Sequence, residues 1–281
     1  MSYDVPHVPY DEFLSRLKSI KRLGYVKTLR SGNTGIGKSL EDLLGIEENN
    51  NSAPDIANVE LKSHRADSSS LITISTKAPQ KANRRLWGDA LAQKYGYENS
   101  SGKQSARTTL KLDVPSKKTG LYLSLDDFDK GNLRICHEED GVIATYTPLE
   151  IEDWVQKAQN GLVLVEADVL NNLDTEYFWY ESATRYSGWN KHAFEKLIRT
   201  EKLRIDIRIR VGKNNGTAIR AKDKSVLNEL YQNSESLLTD VTLSSSPSPV
   251  DPPFDMDWGT IEDVDNIRSA LGEQQTFEDF N

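Results

Sequence analysis

The chain has 281 residues and one cysteine, Cys136, which excludes an internal disulfide; the length admits one large domain or two small ones around a proper core. Its net charge of −8 would argue against a polyanionic partner, but residues 240–281 hold ten acids against one base and so carry −9, leaving +1 on the body. The N-terminus has no signal-like apolar core and no stretch reaches membrane-spanning length, so a cytoplasmic protein without a membrane association is expected.

In chain order, a Pro-containing leader precedes Asp11 to Ile20, apolar at Phe13, Leu14, Leu17 and Ile20, which predicts an amphipathic helix. The stretch from Gly32 to Arg65 is the most informative. Leu40, Leu43 and Leu44 recur at helical spacing, Ser39 is a candidate cap, and Gly45 suits the left-handed end of a helix; Glu41 therefore sits on a short helix. Pro54 biases Ala53 away from helix, and Val59-Glu60-Leu61-Lys62 alternates, so Val59 and Leu61 face a core while Glu60 and Lys62 share the other face. Carboxylates of Asp55 and Glu60 are hard oxygen ligands suited to Mg²⁺, with Lys62 beside them to stabilise negative charge during phosphodiester hydrolysis. The plain alternative is a solvated strand face with a local ion pair after a Pro-Asp turn.

A second motif overlaps. Gly32 to Ser39 satisfies G-x-x-x-x-G-K-[ST], the phosphate-cradling pattern of P-loop NTPases. That mechanism demands a buried parallel strand entering the loop and a long helix leaving it. Lys27 to Ser31 is not an apolar run, and the helix stops at Gly45, so the glycines are better read as allowing close backbone approach.

Downstream, Ala66 to Ser70 is a polar turn and Leu71 to Lys77 a second strand, expected to return as a hairpin. Residues 80–111 mix bases, Trp87, Tyr95 and Tyr97 with small polar side chains, which suits phosphate contacts or a solvated surface. Leu121 to Leu125, Asn132 to Glu138 and Val142 to Tyr146 read as a meander, with Cys136 a buried apolar residue on its strand. Pro148 to Ala158 is a helix, Leu162 to Ala167 and Glu176 to Glu181 are strands, and Tyr177 to Tyr180 are assigned to the core.

Trp189 to Leu203 is a predicted helix. After it, Leu203 to Arg210 alternates four aliphatics with Arg204, Asp206, Arg208 and Arg210. Ordinary ion pairs on a half-buried strand would account for this. Arginines bidentate to guanine, with a carboxylate accepting from cytosine, would also suit a strand that reads G·C pairs in the major groove. Lys213 to Gly216 is expected as the turn, with Thr217 to Ala221 returning and carrying Arg220. Lys222 to Asn233 is a predicted closing helix, residues 244–253 have linker composition, and the acidic remainder is expected to be mostly disordered.

Taken together, Gly-Asn-Thr-Gly-Ile-Gly-Lys, Leu-Glu-Asp-Leu-Leu, Ala-Pro-Asp, Val-Glu-Leu-Lys-Ser-His, the strand from Leu71 to Pro79, Lys94-Tyr95-Gly96, Asp206-Ile-Arg208 and Gly216-Thr-Ala-Ile-Arg220 resemble the MvaI/BcnI family of type II restriction endonucleases. MutH, a mismatch-repair nicking enzyme, shares a looser version of the core. The resemblance implies an α/β (mixed α+β sheet) PD-(D/E)xK core with a strand-rich DNA-recognition lobe. Residues 1–125 would be the catalytic core, 126–235 the recognition lobe completing the cleft, and 236–281 a linker and acidic tail. It implies that Asp55, Glu60 and Lys62 are catalytic, that Glu41 supports them, and that His64, Asp206, Arg208 and Arg220 contact DNA. Lys213, Asn214 and Asn215 stand where family histidines are expected, which makes Asn215 the last DNA-binding candidate and suggests a different target sequence. The implied activity is Mg²⁺-dependent cleavage of double-stranded DNA by a monomer nicking the strands in turn, with a methyltransferase for the same site as a possible partner. A MutH-like nickase, a binding module without catalysis and the P-loop NTPase are the alternatives.

Overall fold

The computed structural model describes residues 8–30, 32–46, 57–126, 128–156, 160–172 and 175–241. In chain order its first elements are helix α1 (Tyr10–Leu23), strand β1 (Val26–Lys27), helix α2 (Gly35–Leu43) and strands β2 (Glu60–Arg65) and β3 (Ile72–Thr76). Helix α3 (Asp89–Tyr95) precedes β4 (Tyr97–Glu98), β5 (Gln104–Ser105), β6 (Thr108–Leu110), β7 (Leu121–Ser124), β8 (Leu133–His137) and β9 (Gly141–Tyr146). Then come α4 (Pro148–Val155), β10 (Leu162–Asn172), β11 (Thr175–Trp189), α5 (Lys191–Arg199), β12 (Leu203–Arg210), β13 (Lys213–Ala221), α6 (Lys224–Leu230) and β14 (Tyr231–Ser236). Among the described residues no helix is long and apolar enough to cross a membrane.

The chain forms two compact units, each assembled from separate segments. Unit one is Met1–Ser68, Ala158–Ser187 and Asn233–Asn281; unit two is Ser69–Lys157 and Gly188–Gln232. The contiguous blocks expected from the sequence are therefore not the compact units: the boundary at 125 falls inside unit two, and residues 158–187 belong with the N-terminal segment. The physical reason is strand pairing. Strand β2 finds its partner in β10, about a hundred residues later, through a parallel ladder from Glu60↔Leu162 to Ala167↔Arg65.

In unit one the sheet runs β1-β11-β10-β2, with β14 also on β11. Alternation sends Val59 and Leu61 to the same core as Val163, Val165, Ala167, Phe178 and Tyr180. Helices α1 and α2 cover that face with Phe13, Leu17, Ile20, Leu23, Ile36, Leu40 and Leu43. Phe178 and Tyr180 are core residues, as expected, and the Tyr180 hydroxyl donates to the Ile36 carbonyl at 2.7 Å, tying β11 to α2.

In unit two the larger sheet runs β3-β13-β12-β5-β4 with β6 on β12, and β7-β8-β9 form the expected meander. Strand β3 does not form a hairpin with β2: its Ile72 to Thr76 pair antiparallel with Ala221 to Ala218 of β13. The polar segment Ala66 to Ser70, expected as the hairpin turn, instead joins strands of two different sheets. Helices α5 and α6 pack on β12 and β13, burying Phe194, Leu197, Val226 and Leu227. Helix α5 is shorter than the predicted span, and the closing helix ends at Leu230, where Tyr231 turns into β14. Helix α4 begins as predicted at Pro148, with a capping box in which Glu150 and Thr147 satisfy each other's backbone N–H groups.

Candidate functional site

Helix α2 starts four residues before the predicted cap. Thr34 is at its N-cap, while Ser39 is buried in the helix body, its hydroxyl accepting from the Leu29 N–H at 3.1 Å. Gly35 is required by close approach: a Cβ there would lie 2.2 Å from the Arg30 carbonyl oxygen. Gly37 sits over β2, where a Cβ would meet Ser63 Oγ at 3.4 Å. Lys38 pairs with Asp42 one turn along at 2.5 Å. The preceding strand, β1, has two residues and runs antiparallel to β11. These features contradict the P-loop alternative: its glycines seat a short helix on a sheet instead of cradling phosphate. Gly45 takes the left-handed conformation (φ 72°) and ends the helix as expected.

Glu41 lies partly buried on α2, the helix packed along β2. Glu60 and Lys62 share the face of β2 opposite the core. Glu60 is 5% exposed, and its Oε1 accepts from Lys62 Nζ at 2.5 Å. Lys62 also donates to the Leu61 carbonyl at 3.0 Å, which holds the ammonium against the strand. His64 is the next residue on that face, partly buried and in register with Glu166 of β10. Asp55 lies outside the described residues.

The approach to β2 contains what the sequence did not announce. Ala57 and Asn58 both have positive φ, 50° and 55°, a conformation that costs an alanine energy and persists only where neighbours enforce it. Asn160 is the neighbour: its Nδ2 donates to the Ala57 carbonyl at 2.6 Å, its backbone N–H donates to the Asn58 carbonyl at 2.9 Å, and the Gly161 carbonyl accepts from the Glu60 N–H at 3.0 Å. The Asn160-Gly161 pair reads in sequence only as a turn signal. Its role as the clamp that sets the start of the Glu60 strand depends on the parallel ladder. Glu166 was missed for the same reason: it reaches the Glu60 face through cross-strand register.

In unit two the other predicted residues converge on the polar face of the β12–β13 pair. Asp206 is 7% exposed; its Oδ1 accepts from Thr109 Oγ1 at 2.6 Å and its Oδ2 from Arg220 Nη1 at 3.1 Å. Arg220 Nη2 donates to the Leu71 carbonyl at 3.3 Å. Arg208 Nη2 donates to Thr76 Oγ1 at 2.7 Å and to the Asn215 carbonyl at 3.3 Å. Burial, then the positive charge of Arg220, lower the Arg208 pKa, with Asp206 opposing; a guanidinium still keeps its charge.

The expected turn at Lys213 to Gly216 is displaced. The chain reverses at Val211-Gly212, with Gly212 at φ 77° and Arg210 paired with Lys213. Lys213 to Gly216 instead lies within β13, where the ladder shifts between Ile207 and Ile209, so Asn215 and Gly216 bulge opposite Arg208. Asn215 thereby meets Arg208 through its backbone carbonyl.

A mixed sheet with an acid and a lysine two residues apart on its edge strand, backed by a short glycine-seated helix, has the build of a restriction-endonuclease-like nuclease, and the comparisons make it a site-specific deoxyribonuclease. The model of the MvaI/BcnI restriction endonuclease family matches residues 14–231, more than half of the sequence, and the chain belongs to that family. A solved structure of restriction endonuclease MvaI with cognate DNA substrate aligns at a TM-score of 0.66 and 24% identity, covering 80% of this chain and 98% of that one. MvaI in the absence of DNA aligns at a TM-score of 0.43 and 22% identity, over 81% and 99% of the two chains. No curated protein matches.

Proposed function

We propose that this type II restriction endonuclease is a Mg²⁺-dependent cytoplasmic enzyme that acts on double-stranded DNA as a monomer, nicking the two strands in turn and leaving 5′-phosphates, alongside a methyltransferase for the same site. The observation that carries the catalytic part is the Glu60–Lys62 pair on one face of β2. Among the described residues no three acidic, histidine or cysteine side chains converge, so a cation site would draw on Asp55 as well. The donor chemistry fits: Glu60 is a nearly buried hard-oxygen ligand, and a divalent ion of this kind keeps much of its water shell and needs few protein ligands. Asp55 and Glu60 would hold the ion, with Glu41 supporting them from α2. When bound, it supplies positive charge where negative charge builds on the phosphate.

The chain's own groups do the rest. Lys62, tethered to Glu60 and to the Leu61 carbonyl, presents a positioned ammonium to a phosphate oxygen. Asp206, Arg208, Asn215 and Arg220 face DNA from unit two, and His64 lies beside the catalytic pair. The shape of the fold, shared with a structure solved on its DNA substrate, supports duplex binding.

Incubation of supercoiled plasmid with Mg²⁺ tests the reading. Wild type should pass through open circles to discrete linear fragments, and Lys62→Ala should cut at least about 10²-fold more slowly, the loss typical of removing one positioned electrostatic group. Open circles that never become linear would replace the proposal with a nickase. Equal cutting by Lys62→Ala would remove Lys62 from the chemistry.

A further inference from the structure

The polar face of β12–β13 carries four arginines, and they are held in two different ways. Arg208 and Arg220 are each fixed by two hydrogen bonds, Arg208 to Thr76 and the Asn215 carbonyl, Arg220 to Asp206 and the Leu71 carbonyl. Among the described residues Arg204 makes a single side-chain hydrogen bond, 3.4 Å from Nε to the Glu201 carbonyl, and Arg210, at the end of its strand, makes none. A guanidinium that reads a base must keep its plane in the base-pair plane, whereas one that meets a phosphate works through charge and tolerates a moving side chain. The two fixed arginines have the property that reading requires.

What fixes them lies on neighbouring strands. Thr76 is the last residue of β3 and Thr109 the middle residue of β6; both are exposed, so neither side chain is there to fill the core. Each nevertheless spends its hydroxyl on the polar face. Thr76 accepts from Arg208, and Thr109 donates to the Asp206 oxygen opposite the one that holds Arg220. Among the described residues the Nε groups of Arg208 and Arg220 are buried without a hydrogen-bond partner, so each fork depends on its terminal nitrogens for orientation.

We infer that Thr76 and Thr109 are specificity-determining positioning residues: Thr76 sets the plane of Arg208, and Thr109, through Asp206, sets that of Arg220. The inference rests on the restriction-endonuclease reading above. Arg204 and Arg210 form the complementary set that binds phosphate without regard to sequence.

The test is cleavage of a duplex library with a randomised segment in Mg²⁺, the cut ends being sequenced so that wild type itself reports its target. Thr76→Val and Thr109→Val remove a hydroxyl at constant volume from exposed positions. Each should lower discrimination by roughly fivefold at particular base pairs, the lower end of what one bidentate contact contributes. The base pairs relaxed by Thr76→Val should be those relaxed by Arg208→Lys, and those relaxed by Thr109→Val should match Arg220→Lys. Thr76→Ser and Thr109→Ser should restore discrimination, and Arg210→Ala should slow cutting equally on all sequences. Valine variants that keep the wild-type preference at every position, or lose rate uniformly, overturn the inference while leaving the nuclease intact. A library left uncut by wild type overturns the nuclease reading itself, and the inference with it. Unfolding temperatures of the valine variants should match wild type; if either drops, the alanine variants are compared for the same position-specific pattern.

Discussion

Lys62 is tied to the main chain and to Glu60, so the position of its ammonium depends on where β2 begins. That start is set by Asn160, which holds two consecutive left-handed residues, Ala57 and Asn58, in place just before Glu60. Removing the amide in Asn160→Ala leaves the backbone bond to Asn58 but frees the Ala57 carbonyl. The unfolding cost should be about 1 kcal/mol, the usual net worth of one such bond. The catalytic cost should be larger, roughly 10²-fold in kcat with KM for DNA little changed, because displacement of a reacting group by even an ångström is expensive. Steady-state cleavage of one plasmid site distinguishes this from a structural role; a change confined to KM would remove Asn160 from the positioning of Glu60.

Among the elements, α2 shows how one glycine-rich pattern can serve packing. Gly35 has the Arg30 carbonyl where a side chain would begin, so Gly35→Ala must push the 28–30 segment or the helix away. Gly37 has ordinary contact room against Ser63. Gly35→Ala should therefore lower stability by about 1–3 kcal/mol, as overpacking does, while Gly37→Ala should be neutral or slightly stabilising through better helix propensity. Thermal unfolding of the two variants gives the comparison. Equal stability of both would mean that Gly35 is not the contact that seats α2. The β12–β13 pair makes a related point: Gly212 takes the reversal, and the bulge that this register creates brings the Asn215 carbonyl to Arg208.

Over the whole sequence the acids concentrate in residues 240–281, which carry −9 where the full chain carries a formal −8. On unit two's polar face, Arg204, Arg208, Arg210 and Arg220 surround the single carboxylate of Asp206 on β12, and Lys213 opposes Arg210 across the turn. Duplex affinity should accordingly fall steeply with salt despite the formal charge of −8. Replacing Arg204 and Arg210 together by alanine should reduce the slope of log K against log salt by about 2, or roughly 0.9 for each lost phosphate contact. Fluorescence anisotropy on a labelled duplex measures it, and an unchanged slope would place those arginines away from the phosphates.

The sequence alone determined the local periods: the amphipathic α1, the alternation that puts Glu60 and Lys62 on one face, the meander, the Pro148 helix and the arginine strand are all written in spacing that short-range geometry decodes. The family resemblance was legible for the same reason, since its motifs are contiguous runs. Tertiary structure decided whatever depends on partners distant in the chain. It sent β2 to β10 and β3 to β13 instead of to each other, because a strand's edge carries no label for its partner and the choice falls to the burial of whole faces. It also recruited Asn160, Thr76 and Thr109, whose polar side chains look ordinary in sequence and acquire a role only through the carbonyl, guanidinium or carboxylate that the fold sets within hydrogen-bond reach.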